Sequence, residues 1–520
     1  MDKNRNRKLS REEIANIEIG HTEVGTAQKW TLVLFFLAFI SIYPVCQFCC
    51  RQPFAEWRNM GEIKQSIKTY ETAIEDSSML RKWLLPPIQS ALTRILRFGN
   101  EKVIIGKSGW FFFSGDYEYL INPGFLRSEV LRQRELKGVQ PNPCKAIIDF
   151  NRQLTARGIK LIVVPVPNKP MICSDALNGA AAPLQNPSFA AFKKELETAG
   201  VAVVDLTEDF AALRYSGVEP FLKTDTHWTV EGMNLAARRI ATATGGKTQM
   251  PQPKKTVTVT NLGDIAVMLK LPNCERRFPA ETVTLADYGI GTDRNSAILL
   301  LGDSFANIFS SEALKWGTCG GLAETIGAMI GHPVDAIIRN DAGAFATRQL
   351  LANELKRGND RLTGKKIVVW EFAIRELANG DWKMIELPQV KNNGSAAPTA
   401  PEPPATGEFV TLAETLETDA AVLKISAVPR PNSAPYKDHV ASLHLALDDG
   451  KQALVYAVSM RDNVWTDAAR LRVGDKIKIK LEPWEKRESE FGSWNRSEFD
   501  DENLLLAEPL YGEIVSVKQP

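Results

Sequence analysis

LLLGDSFAN, residues 299–307, decides how this chain folds. An apolar run without polar alternation suits a strand covered on both faces, and it ends at Gly302, where a residue lacking Cβ tolerates a strained turn. The chain then passes through Asp303 and Ser304 into a helix. Ser304 would therefore stand above the carboxyl edge of a sheet with its own N–H at a helix start, where a developing oxyanion is stabilised. Asp303 or Ser304 would occupy the same place as a plain helix cap. On these nine residues both readings stay open.

The surrounding text repeats the strand-then-helix rhythm. Short β-rich runs at 103–105, 160–165, 202–205, 297–301, 336–338 and 366–370 alternate with amphipathic segments such as 189–199, 230–243 and 347–355. That order predicts an α/β domain with a mostly parallel sheet over residues 98–388. Residues 389–408, rich in Pro and Ala, read as a semi-extended linker. Residues 409–520 carry short β-rich runs separated by turn residues such as Asp448-Asp449-Gly450, which predicts a smaller all-β domain, barrel or sandwich. Its Trp465, Trp484 and Trp494 are candidate stacking faces for sugars or core aromatics. No internal repeat is visible.

Length and charge set the limits. A chain of 520 residues exceeds one ordinary domain. Lys and Arg total 63 against 62 for Asp and Glu, and a net charge of +1 provides no field that would draw nucleic acid. Residues 30–48 hold no charged side chain over 19 positions, close to the ~20 that cross a bilayer as a helix. Basic residues ahead of them (Lys3, Arg5, Arg7, Lys8, Arg11, Lys29) are nearly balanced by acidic ones, and the positive-inside bias is slight. The expectation is a cytoplasmic tail (1–29), a single transmembrane signal anchor (30–48) and a helical stalk (49–97), with the remainder outside the inner membrane, in the periplasm. There Cys144, Cys173, Cys274 and Cys319 would sit where disulfides are permitted. These four form no CxxC pair, which argues against a zinc site among them, and no metal or cofactor is expected.

Five histidines occur in the chain, and one stands in a chemical context: His227, in KTDTHWTVEG at 223–232. Asp225 lies two positions before it, so in extended backbone both side chains point to one side. A carboxylate there fixes the imidazole tautomer and frees the other ring nitrogen to take a serine proton. Thr229 suits the N-cap of the following helix. A satisfied structural histidine and half of a metal site are the alternatives.

GDSF with an upstream Asp-x-His-Trp resembles the SGNH-hydrolase-like domain of the alginate O-acetyltransferase AlgX/AlgJ family. GKSGWFFFSGD at 106–116, VVPVPNK at 163–169, FLKTDTHWT at 221–229 and VVWEF at 368–372 agree with that pattern, over roughly residues 98–387. The resemblance implies Ser304 as nucleophile, His227 as general acid/base and Asp225 as its orienter. It implies a membrane-anchored O-acetyltransferase that moves acetyl through an acetyl-serine onto hydroxyls of an alginate-like exopolysaccharide. A membrane-bound O-acyltransferase would be its acetyl-donor partner. A carbohydrate acetylesterase with the same triad and a non-catalytic polysaccharide-binding scaffold are the competing functions. Beyond the triad, Asn340 is a candidate oxyanion donor, and Trp370, Glu371 and Arg348 are candidate substrate contacts, each with a structural alternative: a turn former, a packing Trp, a structural Glu and a solvated helix face.

Overall fold

Apolar runs without alternation form the centre of the molecule. The computed structural model describes residues 11, 14, 25–49, 78–180, 183–246, 249–271, 278–340, 343–388, 409–429, 431, 436–492, 494–497, 499, 504 and 507–518. The expected linker therefore lies outside the described residues, as does most of the expected stalk. Residues 1–91 and 92–520 form two separate compact units.

In the larger unit the strands run, in chain order, β1 (Val103–Ile105), β2 (Phe111–Phe113), β3 (Lys160–Val166), β4 (Ala202–Val203), β5 (Lys255–Asn261), β6 (Glu281–Asp287), β7 (Ile298–Gly302), β8 (Asp335–Ile338) and β9 (Ile367–Ala373). Five of them make one sheet in the order β4-β3-β9-β7-β8, and every pairing in it is parallel. All of β7 is buried, as are six of the seven residues of β3. This is the double-sided covering that unalternated strands require. Helices Pro143–Thr155, Phe189–Thr198, Val230–Ala243, Leu322–Ile330 and Phe345–Lys356 bury their apolar faces in the same core.

Two elements depart from the expectation. Residues 103–105 do not join the parallel sheet; β1 pairs antiparallel with β2 as a separate hairpin, with three-residue strands. A second antiparallel hairpin, β5 with β6, went unread in the sequence although KTVTVTN alternates. Its alternate side chains face outward, as period-2 patterning demands.

Beyond the undescribed stretch lie β10 (Leu416–Ile425), β11 (His439–Leu447), β12 (Gln452–Arg461), β13 (Val464–Trp465), β14 (Lys476–Pro483), β15 (Asn495–Ser497) and β16 (Pro509–Lys518). They pair in the order β13-β12-β16-β14-β10-β11-β15, and an additional β11–β12 pairing closes the five central strands into a barrel. Closure removes the edges that an open sheet of this size would expose. Val422, Leu443, Leu445, Val455, Ile477 and Ile479 fill the interior. The barrel belongs to the same compact unit as the α/β domain. Lys315 Nζ meets Asp462 Oδ1 at 2.9 Å, Arg294 meets Glu488 at 3.0 Å, and Arg339 donates to the Arg496 carbonyl.

In the smaller unit, residues 30–48 lie within an unbroken helix, Thr26–Cys49. Trp30, Phe35, Phe36 and Phe39 on it are exposed. Among the described residues no helix is long and apolar enough to cross a membrane, so the spanning segment expected from the sequence is not confirmed. A second helix, Met79–Ala91, contains Pro86 and Pro87. Of the four cysteines beyond the N-terminal segment, Cys144, Cys173 and Cys319 are free, and Cys274 lies outside the described residues. Burial raises the Cys173 thiol to about 12, which keeps it a neutral core group.

Candidate active site

The turn after β7 assigns different tasks to its two polar residues. Asp303 is spent on structure: Oδ1 accepts from Phe305 N at 2.8 Å as the N-cap, and Oδ2 accepts from Ala373 N at 2.7 Å, fastening the turn to the end of β9. Its own N–H donates to Glu371 Oε2 at 3.0 Å. Gly302 is required because a Cβ there would stand 2.7 Å from the Ala306 Cβ and 3.1 Å from Glu371 Oε2. With the cap supplied by Asp303, the Ser304 hydroxyl is left to face the pocket.

His227 reaches that hydroxyl from an adjacent loop. Its Nε2 lies 2.8 Å from Ser304 Oγ, and its Nδ1 lies 2.6 Å from Asp225 Oδ1. Asp225 also accepts from the His227 backbone N–H at 3.0 Å through Oδ1, and through Oδ2 from Trp316 Nε1 at 2.8 Å and Asp264 N at 3.0 Å. A carboxylate with four donors is ionised and fixed. It therefore holds the proton of His227 on Nδ1 and leaves Nε2 to accept from serine.

The loop is anchored on every side. Thr229 Oγ1 accepts from Gly232 N at 3.1 Å, capping helix Val230–Ala243 as its spacing predicts. Trp228 is buried and packs edge-on against Phe305, with ring centroids 5.2 Å apart, linking the two halves of the site. Glu281 of β6 accepts from Thr224 N and Lys223 N, both at 2.8 Å, so the unforeseen hairpin supports the loop. Fully buried Lys169, from VVPVPNK, donates to the carbonyls of Phe111 at 2.9 Å, Lys223 at 3.2 Å and Asp225.

Charges here are strongly biased. Burial pulls His227 down, but the hydrogen bond and charge of Asp225, with Asp264 and Asp303 behind, outweigh it and set its pKa above the ordinary value. Burial opposes ionisation of Asp225, yet the hydrogen bond and charge of His227 and the Trp316 donor hold it below the usual carboxylate range. Burial and the charge of Asp225 push Asp264 up to about 6. Asp225, His227 and Asp264 bring one potential ligand atom each within 4.8 Å. Those atoms are already engaged, Asp225 with His227 and Asp264 with Thr226 N and Oγ1 at 2.7 and 2.8 Å.

A pocket of about 140 Å³ opens at Ser304. Asn340 lines it, with its Oδ1 accepting from Asn307 Nδ2 at 3.0 Å. Three sequence candidates sit elsewhere. Trp370 is buried against Phe150 and Trp382, with ring centroids at 5.5 and 5.6 Å. Arg348 is stacked on Trp370 at 4.7 Å and donates to the Lys383 carbonyl at 3.0 Å; burial lowers its pKa to about 9. Both are core residues: an aromatic face and a backbone carbonyl replace solvent around part of the guanidinium, while Arg348 Nε is buried without a partner among the described residues. Glu371 lies behind the Ser304 turn as the acceptor for Asp303, and burial, then the charge of Asp303, drive it well above the usual range. Sequence reasoning missed Trp316, Asp264 and Lys169, and with them Tyr436, Lys437 and Asn495, which the barrel contributes to the pocket. Lys169 alone carried a signal, as the last residue of a motif already noted.

Residues 103–374 match the family model described as ALGX, SGNH hydrolase-like domain, acetyltransferase AlgX. The chain belongs to this family. Among curated relatives of the AlgX/AlgJ group, "Probable alginate O-acetylase AlgJ" of Pseudomonas fluorescens is 23% identical over 325 residues, covering 58% of this chain and 76% of that protein. The same-named protein of Pseudomonas syringae pv. tomato is 23% identical over 370 residues, covering 66% and 88%. The solved O-acetyltransferase domain of Pseudomonas putida AlgJ aligns at 21% identity and a TM-score of 0.39, over 53% of this chain and 92% of that one. Pseudomonas aeruginosa AlgX aligns at 13% identity and a TM-score of 0.37, over 73% and 90%. The AlgX-family match spans both GDSF and DTHW, and so includes Ser304, His227 and Asp225.

Proposed function

We propose that this chain is a polysaccharide O-acetyltransferase that carries the acetyl group on Ser304. The observation that carries this reading is the unbroken hydrogen-bonded chain from Ser304 Oγ through His227 to Asp225, opening on a pocket. Ser304 Oγ attacks an acetyl carbonyl while its proton passes to His227 Nε2. The tetrahedral adduct collapses, its leaving group takes that proton, and acetyl-Ser304 remains. A sugar hydroxyl then attacks the acetyl carbon, giving its proton to His227 Nε2, and Ser304 Oγ leaves and recovers it. Asp225 stabilises the imidazolium formed in each half. The Ser304 backbone N–H and Asn340 are the oxyanion donors.

The same triad serves an esterase when water is the acceptor. Family membership and the names of the relatives support transfer, and they make an alginate-like polysaccharide the first acceptor to test. The scaffold reading has less support: Trp484 is buried, and half-buried Trp465 donates to the Pro429 carbonyl at 2.8 Å. The experiment incubates the protein with an acetyl ester, traps acetyl on the peptide that carries Ser304, and follows acetylated oligosaccharide by mass spectrometry. Ser304→Ala abolishes both signals. Acetate release that oligosaccharide never diverts into product would establish the esterase instead.

The setting is part of the proposal. The catalytic domain works in the periplasm at the inner membrane, and a membrane-bound O-acyltransferase supplies acetyl groups. Helix Thr26–Cys49, with its exposed apolar side chains, is the proposed tether. Loss of membrane fractionation on deletion of residues 1–49, with ester cleavage retained, is the expected result; unchanged fractionation rejects the tether.

A further inference from the structure

The motif GKSGWFFFSGD at 106–116 takes no part in the triad, yet two of its residues converge on one side chain of the Ser304 pocket, Arg375. Fully buried Asp116 accepts from Arg375 Nη1 at 2.9 Å, and the guanidinium lies over the Phe113 ring, 5.7 Å from its centroid. Asn168 fixes Asp116 in turn, its Nδ2 donating to the Asp116 carbonyl at 3.2 Å. Arg375 stands two positions past the end of β9 and lines the pocket with Ser304 and His227. Its side chain is 20% exposed, and among the described residues its Nε and Nη2 meet no hydrogen-bond acceptor.

A guanidinium presents its N–H donors as a planar fork, and Asp116 engages one nitrogen of it. The ion pair behind holds the remaining donors in place, an arrangement that suits a planar anion, above all a carboxylate, which accepts two parallel N–H bonds. The rest of the lining favours the same class. Its cations are Lys315, Arg375 and Lys437 against two carboxylates, Asp225 and Asp264, and both carboxylates already accept from the protein. Lys315 is paired with Asp462 at 2.9 Å and Lys437 also has a partner, whereas the fork of Arg375 is half open. From the barrel, Asn495 lines the pocket only 1% exposed, with neither Nδ2 nor Oδ1 partnered among the described residues. A buried amide left in this state is costly, and a sugar hydroxyl, donor and acceptor in one group, would satisfy it.

We propose that Arg375, held by Asp116, is the residue that selects the acceptor by binding the carboxylate of a uronate unit, with Asn495 taking a hydroxyl of the same sugar chain. The proposal rests on the acetyltransferase reading for its chemistry, but its test measures binding alone. The full-length Ser304→Ala protein is titrated calorimetrically with an oligomannuronate and with a manno-oligosaccharide of the same length, its carboxyl-free counterpart, each at low and high salt. Oligomannuronate binds at least about ten-fold more tightly at low salt, the scale of a hydrogen bond to a charged group, and the advantage shrinks as salt is added. Arg375→Lys keeps a cation beside Asp116 but loses the fork. In that variant, with its melting temperature checked, oligomannuronate affinity falls about ten-fold while that of the neutral oligomer stays where it was. Asn495→Leu, whose melting temperature should not fall, weakens both sugars about five-fold, as one lost hydrogen bond would; unchanged binding removes Asn495 from the site. Equal affinity for the two sugars overturns the proposal, as does a failure of oligomannuronate to bind. So does an Arg375→Lys variant that weakens both sugars alike, the mark of a merely structural ion pair. Trapping of acetyl on Ser304 uses no sugar, so the two readings fail separately.

Discussion

Trp316 donates its indole N–H to Asp225 Oδ2 at 2.8 Å from 91 positions further along the chain. The bond completes the donor set that keeps the carboxylate ionised and turned toward His227. Trp316→Phe preserves the ring and deletes the donor. The expected result is a fall of about ten-fold in kcat/KM for ester cleavage, in line with ~1.4 kcal/mol for a hydrogen bond to a charged acceptor, with little change in melting temperature. Full activity in this variant would show that Asp225 is held without it.

Asp225→Asn should be far more damaging than its size suggests. An amide that donates toward Nδ1 stabilises the tautomer whose Nε2 carries the proton, and that nitrogen can no longer accept from Ser304. A loss of about 10⁴-fold in kcat is expected, with folding retained. A loss of under ten-fold would remove Asp225 from the mechanism.

Lys169→Met removes a fully buried ammonium that joins three backbone carbonyls, those of Phe111, Lys223 and Asp225. The Lys223 carbonyl keeps the Phe111 N–H at 2.9 Å, and loss of the ammonium from this group of acceptors should cost about 3 kcal/mol of stability. The Asp225 loop loosens with them, so kcat falls at temperatures where the variant is still folded. Denaturant melts and initial rates on the same preparation separate the two effects. An unchanged melt would mean that the ammonium pins nothing.

Activity as a base requires neutral His227, and its pKa stands above 6.5. The acid limb of kcat/KM should therefore rise with pH through a midpoint above 6.5. Ionised Asp264 favours the imidazolium, so Asp264→Asn should move that midpoint down. The same substitution tests stability. Asp264 titrates at about 6 when folded against 3.8 as a model carboxyl, so the folded state holds the extra proton, and stability declines as pH rises through roughly that interval. The asparagine variant should lose this slope in pH-dependent melts. A limb that stays in place would show that Asp264 does not sense His227.

Gly263 lies against the loop that carries Asp225 and His227 so closely that a Cβ would stand 2.2 Å from the carbonyl of Thr224 and 2.4 Å from the N of Asp225. Backbone has no rotamer with which to yield. Gly263→Ala should cost about 2 kcal/mol of stability and a larger share of activity, since the displaced peptide joins Thr224 to Asp225, whose carboxylate holds His227. A fully active variant would mean that the loop shifts without consequence.

Much of this was legible in the chain itself. Unalternated apolar runs located the strands of the parallel sheet, because burial on both faces leaves no room for polar positions. Asp-x-His before an N-cap threonine placed both side chains on one side of extended backbone. Contacts without a local pattern were not legible. Arg348 looked like a polar residue on a helix face until Trp370 and the Lys383 carbonyl proved to surround it. Residues 103–105 resembled one more strand of the sheet, since three apolar residues do not reveal which partner they will pair with.

The sequence by itself determined the α/β class, the closed-or-sandwiched β domain at the C-terminus and the local settings of Ser304, His227 and Asp225, because strand burial, turn chemistry and two-residue spacing are local properties. The tertiary structure alone decided which oxygen of Asp225 each donor takes, that Asp303 caps while Ser304 faces the pocket, and that the barrel lends Tyr436, Lys437 and Asn495 to it. These depend on packing between segments far apart in the chain. No spacing rule encodes which two distant surfaces will be pressed together when the core closes.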